Sequence, residues 1–97
     1  MKYIKKKKNI EIYYLKYRPL DISKFKNKTI IAFAGIGNPT NFFDLLRENN
    51  FLLKEVFDYP DHHNFSKTEL DILINKAKVN NAILLTTEKD YFRIDDN

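Results

Sequence analysis

The sequence predicts a small α/β domain with a parallel sheet, in the order strand, helix, strand, helix, strand. Three short apolar runs are typical of strands buried in such a sheet. Helical patterns with recognisable start signals separate these runs. Right-handed crossovers would then place the helices against the sheet in a three-layer arrangement. A linker-type strand is predicted to precede this unit.

The first 28 residues form a basic segment that contains the linker-type strand. They carry ten Lys and Arg against Glu11 and Asp21, whereas residues 29–97 carry seven against eleven acids. Residues 1–9 are expected to fray, because four consecutive lysines at positions 5–8 repel one another. Residues 10–17 are rich in β-formers and predict a strand that Pro19 ends. Residues 29–97 are expected to form the small α/β domain.

The first apolar run predicts a strand over residues 29–34. The only two glycines of the chain, Gly35 and Gly37, follow it directly. Asn38 is predicted to cap the next helix, and Pro39 suits its first turn. That helix has helically spaced apolar positions and ends near residues 49–50; its apolar positions are Phe42, Phe43, Leu45 and Leu46.

The second strand is predicted within residues 51–59 and ends at Pro60. Ser66 and Glu69 then have the spacing of a capping box, and Phe65 and Leu70 occupy the positions of a hydrophobic staple. A helix is therefore expected to begin after Ser66, with a buried stripe of four residues: Leu70, Leu73, Ile74 and Ala77.

The last part of the chain predicts a third buried strand over residues 82–86. Residues 87–90 are expected to be its exit loop, and residues 91–94 a short helical turn or an edge strand. The carboxyl ends of parallel strands meet at one edge of a sheet, where open α/β sheets bind ligands. Three polar loops, at residues 35–39, 60–63 and 86–90, are therefore expected to lie together there.

The composition excludes several classes of protein. Without cysteine, the chain can have neither a disulfide framework nor a thiolate metal site. No apolar run has the length of a membrane span, and the basic N-terminus lacks the apolar part of a secretory signal. With 43% hydrophobic residues the chain is expected to be globular. Since neither a membrane span nor a secretory signal is recognised, the cytoplasm is the expected compartment.

Asp61, His62 and His63 combine an acid with the only two histidines of the chain. Histidine transfers protons near neutral pH, and an adjacent acid can orient it, so Asp61 and His62 are a plausible base for deprotonating an alcohol. A solvated surface loop is an equally good interpretation of the spacing alone. A metal site would need a third ligand, and no zinc pattern is present.

The other two loops are less specific. Gly35, Gly37 and Asn38 lead into a helix N-terminus that can attract anions, but a tight turn explains both glycines without a ligand. Lys89 could contact a phosphate or form a local ion pair with Glu88 or Asp90.

Taken together and in order, these loops resemble the C-terminal part of tetraacyldisaccharide 4'-kinase, the lipid A pathway kinase of Gram-negative bacteria. The resemblance covers about residues 10–94. It rests on residues 33–39 (FAGIGNP), 42–43 (FF), 59–65 (YPDHHNF) and 86–90 (TTEKD).

The resemblance implies a two-domain enzyme that uses ATP and Mg²⁺. Such a kinase moves the γ-phosphate of ATP to the 4'-hydroxyl of tetraacyldisaccharide 1-phosphate, giving lipid IVA, at the inner face of the cytoplasmic membrane. Residues 10–17 match the β-stranded linker between its domains. The family's Asp-His motif falls on Asp61 and His62, and implies that His62 assists the catalytic base with an acid of the other domain. His63 is a weaker candidate, and Gly35, Gly37, Asn38, Lys89 and Asp90 would lie near substrate or nucleotide.

One departure from the family is large. No G-x-x-x-x-G-K-[ST] pattern occurs in these 97 residues, and the acids that would hold Mg²⁺ beside it are missing too. We therefore expect this stretch to be inactive by itself and to need a separate P-loop domain. The alternative is a non-catalytic α/β module that binds nucleotide or nucleic acid through the basic N-terminus and the loops, although a nucleic-acid partner is disfavoured. A metal-assisted hydrolase that uses Asp61, His62 and His63 ranks last.

Overall fold

A computed structural model of the chain describes residues 4–6, 12–15 and 27–95. Among these residues there are five strands and three helices. In chain order they are β1 (Ile4–Lys6), β2 (Tyr13–Leu15), β3 (Thr29–Ala34), α1 (Pro39–Glu48), β4 (Leu52–Asp58), α2 (Lys67–Val79), β5 (Ile83–Thr87) and α3 (Glu88–Asp95).

The strands form one sheet in the order β1-β2-β5-β3-β4. Strands β2, β5, β3 and β4 run parallel to one another, and β1, at the edge, pairs antiparallel with β2. From β3 the chain crosses through α1 to β4, then returns through α2 to β5 on the other side of β3. The two crossovers run in opposite directions, and their helices cover opposite faces of the sheet, since α1 packs in one core cluster and α2 in the other. The predicted parallel α/β fold is confirmed.

The core has two halves because β3 is buried on both faces. Alternate β3 residues, Ile30, Ala32 and Ala34, pack with Phe42 and Leu46 of α1. The intervening β3 residues face α2 and α3 and form a second core cluster with them. It contains Ile31 and Phe33 of β3, Leu73 and Ala77 of α2, and Tyr91 and Ile94 of α3. The apolar run of β3 is continuous because helices cover the strand on both faces, as the sequence predicted.

The basic N-terminal segment differs in part from the prediction. Residues 4–6 were expected to fray with their neighbours, but they pair as β1 with β2. Backbone pairing outweighs the poor β-propensity of lysine here, and lysine is common on edge strands because it discourages further pairing. Of the strand predicted over residues 10–17, Tyr13–Leu15 is confirmed. Residues 1–3, 7–11 and 16–26 lie outside the described residues, and a domain boundary at residue 28 stays a prediction.

The start of α2 confirms the capping box. The Ser66 hydroxyl accepts from the Glu69 amide at 3.0 Å, and the Glu69 carboxylate accepts from the Ser66 amide at 2.9 Å. Phe65 is buried, and Leu70 packs against the same cluster. Together these contacts fix where the loop after β4 ends and the helix begins.

Two predictions about helix ends need correction. Asn38 is at the N-cap position of α1, but its side chain makes no capping hydrogen bond. Residues 88–90 are not a loop, because α3 begins at Glu88 directly after β5. The reason is a second cap: the Thr87 hydroxyl accepts from the Asp90 amide at 3.1 Å.

No helix among residues 4–6, 12–15 and 27–95 is both long enough and apolar enough to cross a bilayer.

Candidate active site

The candidate site lies where the neighbouring strands β3 and β5 end. The chain leaves β3 towards α1 on one face of the sheet and leaves β5 into α3 on the other face. A crevice outside the carboxyl ends of the strands at such a switch point is where open α/β sheets bind ligands. The turn after β3, the loop after β4 and the start of α3 meet here, as the sequence predicted.

The loop after β4 lies directly against the backbone of Gly35. The Tyr59 amide donates to the Ala34 carbonyl at 2.8 Å, and the His62 amide donates to the Gly35 carbonyl at 3.0 Å. A Cβ atom at Gly35 would stand 3.1 Å from the Pro60 carbonyl oxygen and 3.2 Å from the His63 Cβ. Glycine is therefore needed for this close approach, and its φ is not in the left-handed region.

Gly37 faces the same loop from the turn into α1, and Asn38 follows it at the N-cap position of that helix. A Cβ atom at Gly37 would stand 3.3 Å from Asp61 Oδ2. Asn38 is exposed, and its side chain is not used as a cap. The turn therefore brings the Asp61 carboxylate close to Gly37, two residues before α1 begins.

Asp61 and His62 form an exposed acid–histidine pair at the tip of the loop. His62 Nε2 is 3.8 Å from Asp61 Oδ2, within ion-pair range but beyond a hydrogen bond. The His62 side chain is 82% exposed and the Asp61 side chain is 52% exposed. His62 has a φ of 62°, a left-handed conformation that a non-glycine residue adopts at some cost. The loop thus presents the imidazole to solvent in a conformation that its hydrogen bonds hold.

His63 is used differently from its neighbour. Its Nε2 lies 2.9 and 3.0 Å from the two carboxylate oxygens of Glu69. Its ring stacks on Tyr59 with centroids 5.0 Å apart and meets the edge of Phe65 at 4.8 Å. The pKa of the Glu69 carboxyl is lowered, first because the Ser66 amide donates to it and then because His63 does.

An ionised carboxylate can only accept hydrogen bonds, so His63 Nε2 carries a proton in this contact. His63 therefore connects the loop to the capping box of α2, and its Nε2 is not available to accept a proton from a substrate. The structure separates the roles of two histidines that are adjacent in sequence: His62 is exposed and His63 is tied to Glu69.

Asp90 is a buried carboxylate beneath the turn after β3. Its side chain has no exposed surface, and Oδ2 accepts from the Gly35 amide at 2.9 Å and from the Thr87 hydroxyl at 2.8 Å. Oδ1 accepts no hydrogen bond from the described residues, although Arg93 Nη1 lies 3.4 Å away. That distance gives an ion pair without the geometry of a hydrogen bond. Asp90 is therefore shielded from solvent, and it supports the turn after β3 through its hydrogen bond to the Gly35 amide.

Arg93 reaches the same point from the next turn of α3. Its Nη1 makes long hydrogen bonds of 3.4 Å to the carbonyl oxygens of Gly35 and His63. One guanidinium nitrogen thus contacts the turn after β3 and the loop after β4. Lys89 of the same helix is exposed.

Two contacts were not predicted from the sequence. The His63–Glu69 contact joins a residue predicted as a site candidate to one predicted only as a cap. Arg93 was not identified because residues 87–90 were expected to be a loop. On a helix that starts at Glu88, Asp90 and Arg93 have the i, i+3 spacing of neighbouring side chains, which is the signal that would have found the pair.

The fit of this site to Mg²⁺ can be judged from its side chains. In the part of the chain that the structure describes, no group of three or more acid or histidine side chains could hold a metal ion. Of the acids at this site, Glu69 binds His63 and Asp90 is buried, which leaves Asp61 as a single exposed carboxylate. We therefore assign no Mg²⁺ ligand to these residues.

Comparison with known proteins identifies relatives over almost all of the chain. The family model of tetraacyldisaccharide-1-P 4'-kinase matches residues 3–97. A protein of Pelagibacter ubique named tetraacyldisaccharide 4'-kinase is 42% identical over 89 residues, which are 91% of this chain and 28% of that protein. Proteins of the same name from Bartonella quintana and Rickettsia bellii are 49% and 44% identical over 69% and 74% of the chain.

The chain matches only 20% to 28% of the length of these three relatives, in their C-terminal part. No solved structure matches the chain.

Proposed function

The chain belongs to the tetraacyldisaccharide-1-P 4'-kinase family, and we propose that it supplies the C-terminal part of such a kinase, with His62 assisting proton removal from the acceptor hydroxyl. The observation that carries this proposal is the Asp61–His62 pair, exposed at the carboxyl edge with His62 in a left-handed conformation. Residues held in uncommon backbone conformations cluster at active sites.

The proposed reaction is the transfer of the γ-phosphate of ATP to the 4'-hydroxyl of tetraacyldisaccharide 1-phosphate, giving lipid IVA. The 4'-oxygen forms a bond to the γ-phosphorus, the bond from that phosphorus to the β–γ bridging oxygen breaks, and ADP leaves. The hydroxyl proton passes to an acid–histidine pair that includes His62. Asp61 orients the imidazole or contacts the substrate.

His62 is preferred to His63 because of what each ring contacts. His63 Nε2 donates to Glu69, and its ring is held between Tyr59 and Phe65. The His62 side chain is 82% exposed, and among the described residues its ring is paired with the Asp61 carboxylate, at ion-pair distance. An acceptor hydroxyl could therefore approach His62 without breaking a contact within the chain.

The phosphate-binding parts of the reaction are assigned outside these residues. Phosphoryl transfer depends mainly on positioning and on electrostatic stabilisation of the phosphates, which a P-loop and Mg²⁺ supply when bound. We propose that another part of a longer chain, or a partner chain, holds them and closes over this edge. We also propose that the lipid substrate is met at the inner face of the cytoplasmic membrane, with the basic residues 5–8 near its anionic head groups.

The test is a reconstituted kinase assay. The 97-residue chain is mixed with a separately made P-loop domain of the same family, ATP, Mg²⁺ and tetraacyldisaccharide 1-phosphate. We expect phosphorylated product only in the complete mixture. No product from the mixture, with both parts folded and shown to associate, would contradict the proposed function.

The variant that tests the role of the imidazole most directly is His62→Asn. Asparagine tolerates the left-handed conformation, so this change removes the imidazole and leaves the backbone unstrained. We expect the rate to fall about 10²- to 10⁴-fold, the usual contribution of a positioned acid–base group. Arg47→Ala, which removes an exposed side chain on α1, is the control and should keep the wild-type rate. A His62→Asn rate equal to that of the control would remove His62 from the mechanism.

A further inference from the structure

Two of the contacts that support the loop carrying Asp61 and His62 converge on Gly35. The His62 amide donates to the Gly35 carbonyl at 3.0 Å, and the loop backbone packs where a Gly35 side chain would be. Whatever fixes Gly35 therefore also fixes the direction in which His62 projects. Both polar backbone groups of Gly35 are held from α3, the amide by Asp90 and the carbonyl in part by Arg93.

Arg93 also contacts the same loop directly, through the His63 carbonyl. Its Nη1 is 3.4 Å from the Gly35 carbonyl, 3.4 Å from the His63 carbonyl and 3.4 Å from Asp90 Oδ1. One cationic nitrogen thus lies among three oxygens that belong to the turn after β3, the loop after β4 and α3. Three-quarters of the Arg93 side chain is buried, so solvent screens these contacts only partly.

The two oxygens of the Asp90 carboxylate are supported differently: Oδ2 accepts from the Gly35 amide and the Thr87 hydroxyl, whereas Oδ1 faces the Arg93 guanidinium. An isolated carboxylate without exposed surface is costly, and Oδ1 has no hydrogen-bond donor among the described residues. The guanidinium is the cation beside it. The Asp90 carboxylate and the Arg93 guanidinium therefore align each other, and the two loops are attached to this pair.

We propose that Arg93, aligned by Asp90, is a positioning residue that fixes the Asp61–His62 loop relative to the turn after β3. Neither side chain is placed in contact with a substrate. Their effect on the reaction is through the orientation of His62, and this part of the inference rests on the proposed function. The effect on the loop itself does not depend on any activity.

The first experiment measures the loop directly, by amide hydrogen exchange in the 97-residue chain. In the wild type, local opening of the loop must break the Arg93 contacts before the His62 amide can exchange. Arg93→Ala removes these contacts, so we expect the His62 amide to exchange at least about tenfold faster. The Tyr59 amide, which is bonded to the Ala34 carbonyl at 2.8 Å, lies in the same segment but has no bond to α3 and should change little. Arg47→Ala should leave both amides unchanged.

The second experiment measures kcat and KM in the chain reconstituted with a P-loop domain. Displacing a catalytic group by about 1 Å can cost about 10²-fold, so Arg93→Ala should lower kcat on that order while KM stays within about twofold. Arg93→Lys keeps a cation near the three oxygens and should recover part of both the exchange protection and kcat. Asp90→Asn keeps an acceptor for the Gly35 amide but removes the charge that aligns Arg93, and should resemble Arg93→Ala.

These readouts separate a positioning role from a structural one and from failure of the proposed function. If His62 and Tyr59 amides accelerate equally, or if neither changes in Arg93→Ala, the positioning role is wrong. If exchange at His62 accelerates but His62→Asn leaves the wild-type rate unchanged, the loop contact stands and the proposed function fails. If His62→Asn abolishes activity while Arg93→Ala keeps the wild-type kcat, the proposed function stands and the inference about Arg93 fails.

Discussion

The amide of Gly35 donates a 2.9 Å hydrogen bond to Oδ2 of Asp90, a residue 55 positions later in the chain. This bond ties the turn after β3 to the first turn of α3 and sets the base on which the Asp61–His62 loop rests. The candidate site therefore depends on a contact between two residues that are far apart in the chain.

Gly35→Ala should destabilise the domain, because the added Cβ would stand 3.1 Å from the Pro60 carbonyl oxygen and 3.2 Å from the His63 Cβ. Neither neighbour can move without shifting the loop, so we expect the free energy of unfolding to fall by about 1–3 kcal/mol. Urea denaturation measures it. Gly37→Ala is the matched control, since its Cβ meets only the flexible Asp61 carboxylate at 3.3 Å. Equal losses in the two variants would contradict the packing argument.

Thr87→Val should weaken the start of α3 while keeping the shape of the side chain. The Thr87 hydroxyl accepts from the Asp90 amide and donates to the Asp90 carboxylate. Its removal should lower the free energy of unfolding by about 1–2 kcal/mol, the range for a lost N-cap. Thermal unfolding measures this loss. Thr68→Val changes an exposed threonine of α2 in the same way and should be nearly neutral; a neutral Thr87→Val would mean that the cap contributes nothing.

Glu69 should make the stability of the domain depend on pH in the acid range. Its pKa is below the ordinary value of 4.5 in the folded state, mainly through the Ser66 amide and His63. The unfolded state then binds more protons, so this contribution is present above pH 4.5 and is lost as pH falls through the folded pKa.

Urea midpoints measured from about pH 7 to about pH 3 test this dependence. We expect a fall in stability at the acid end that is smaller in Glu69→Gln, which cannot ionise. Glu55→Gln removes an exposed carboxylate on β4 and should keep the wild-type profile. Superimposable profiles for wild type and Glu69→Gln would show that the capping box and the His63 contact do not favour the ionised carboxylate.

Leu46→Ala tests the half of the core beneath α1. Leu46 has no exposed surface and packs against β3. Truncating a buried leucine leaves a cavity, so the free energy of unfolding should fall by about 2–5 kcal/mol. Leu52→Ala removes the same atoms from a residue that is 53% exposed, and should cost less than about 1 kcal/mol. If the two variants are equally stable, α1 does not cover the sheet as described.

Much of the fold could be predicted because the signals for its elements are local. The apolar run of β3, the capping box at Ser66 and the stripe of α2 each follow from residues a few positions apart. The start of α3 was missed although Thr87 and Asp90 have the spacing of a capped helix start, as Ser66 and Glu69 do. The strand runs into that cap without an intervening loop, so the pattern was attributed to the strand's exit.

The site was predicted less completely because its supporting contacts are not local. That the three loops meet follows from parallel strands, but the contact of Arg93 with the Gly35 and His63 carbonyls depends on where α3 returns to the sheet. Similarly, nothing in the adjacent pair His62 and His63 indicates which ring is turned inward. The Glu69 carboxylate determines that the His63 ring is the one turned inward, because it binds His63 Nε2. The same carboxylate also accepts from the Ser66 amide at the start of α2.

The 55-residue separation between Gly35 and Asp90 also has a consequence for folding during synthesis. Chains emerge from the ribosome at about 5–20 residues per second, so the turn after β3 is made about 3 to 11 seconds before its partner in α3. During that interval β3 and β4 can pair, but the Gly35 amide has no carboxylate to bind. Contacts between distant residues also slow folding because the intervening chain must first be ordered. We therefore expect the candidate site to be the last part of the domain to take its final form.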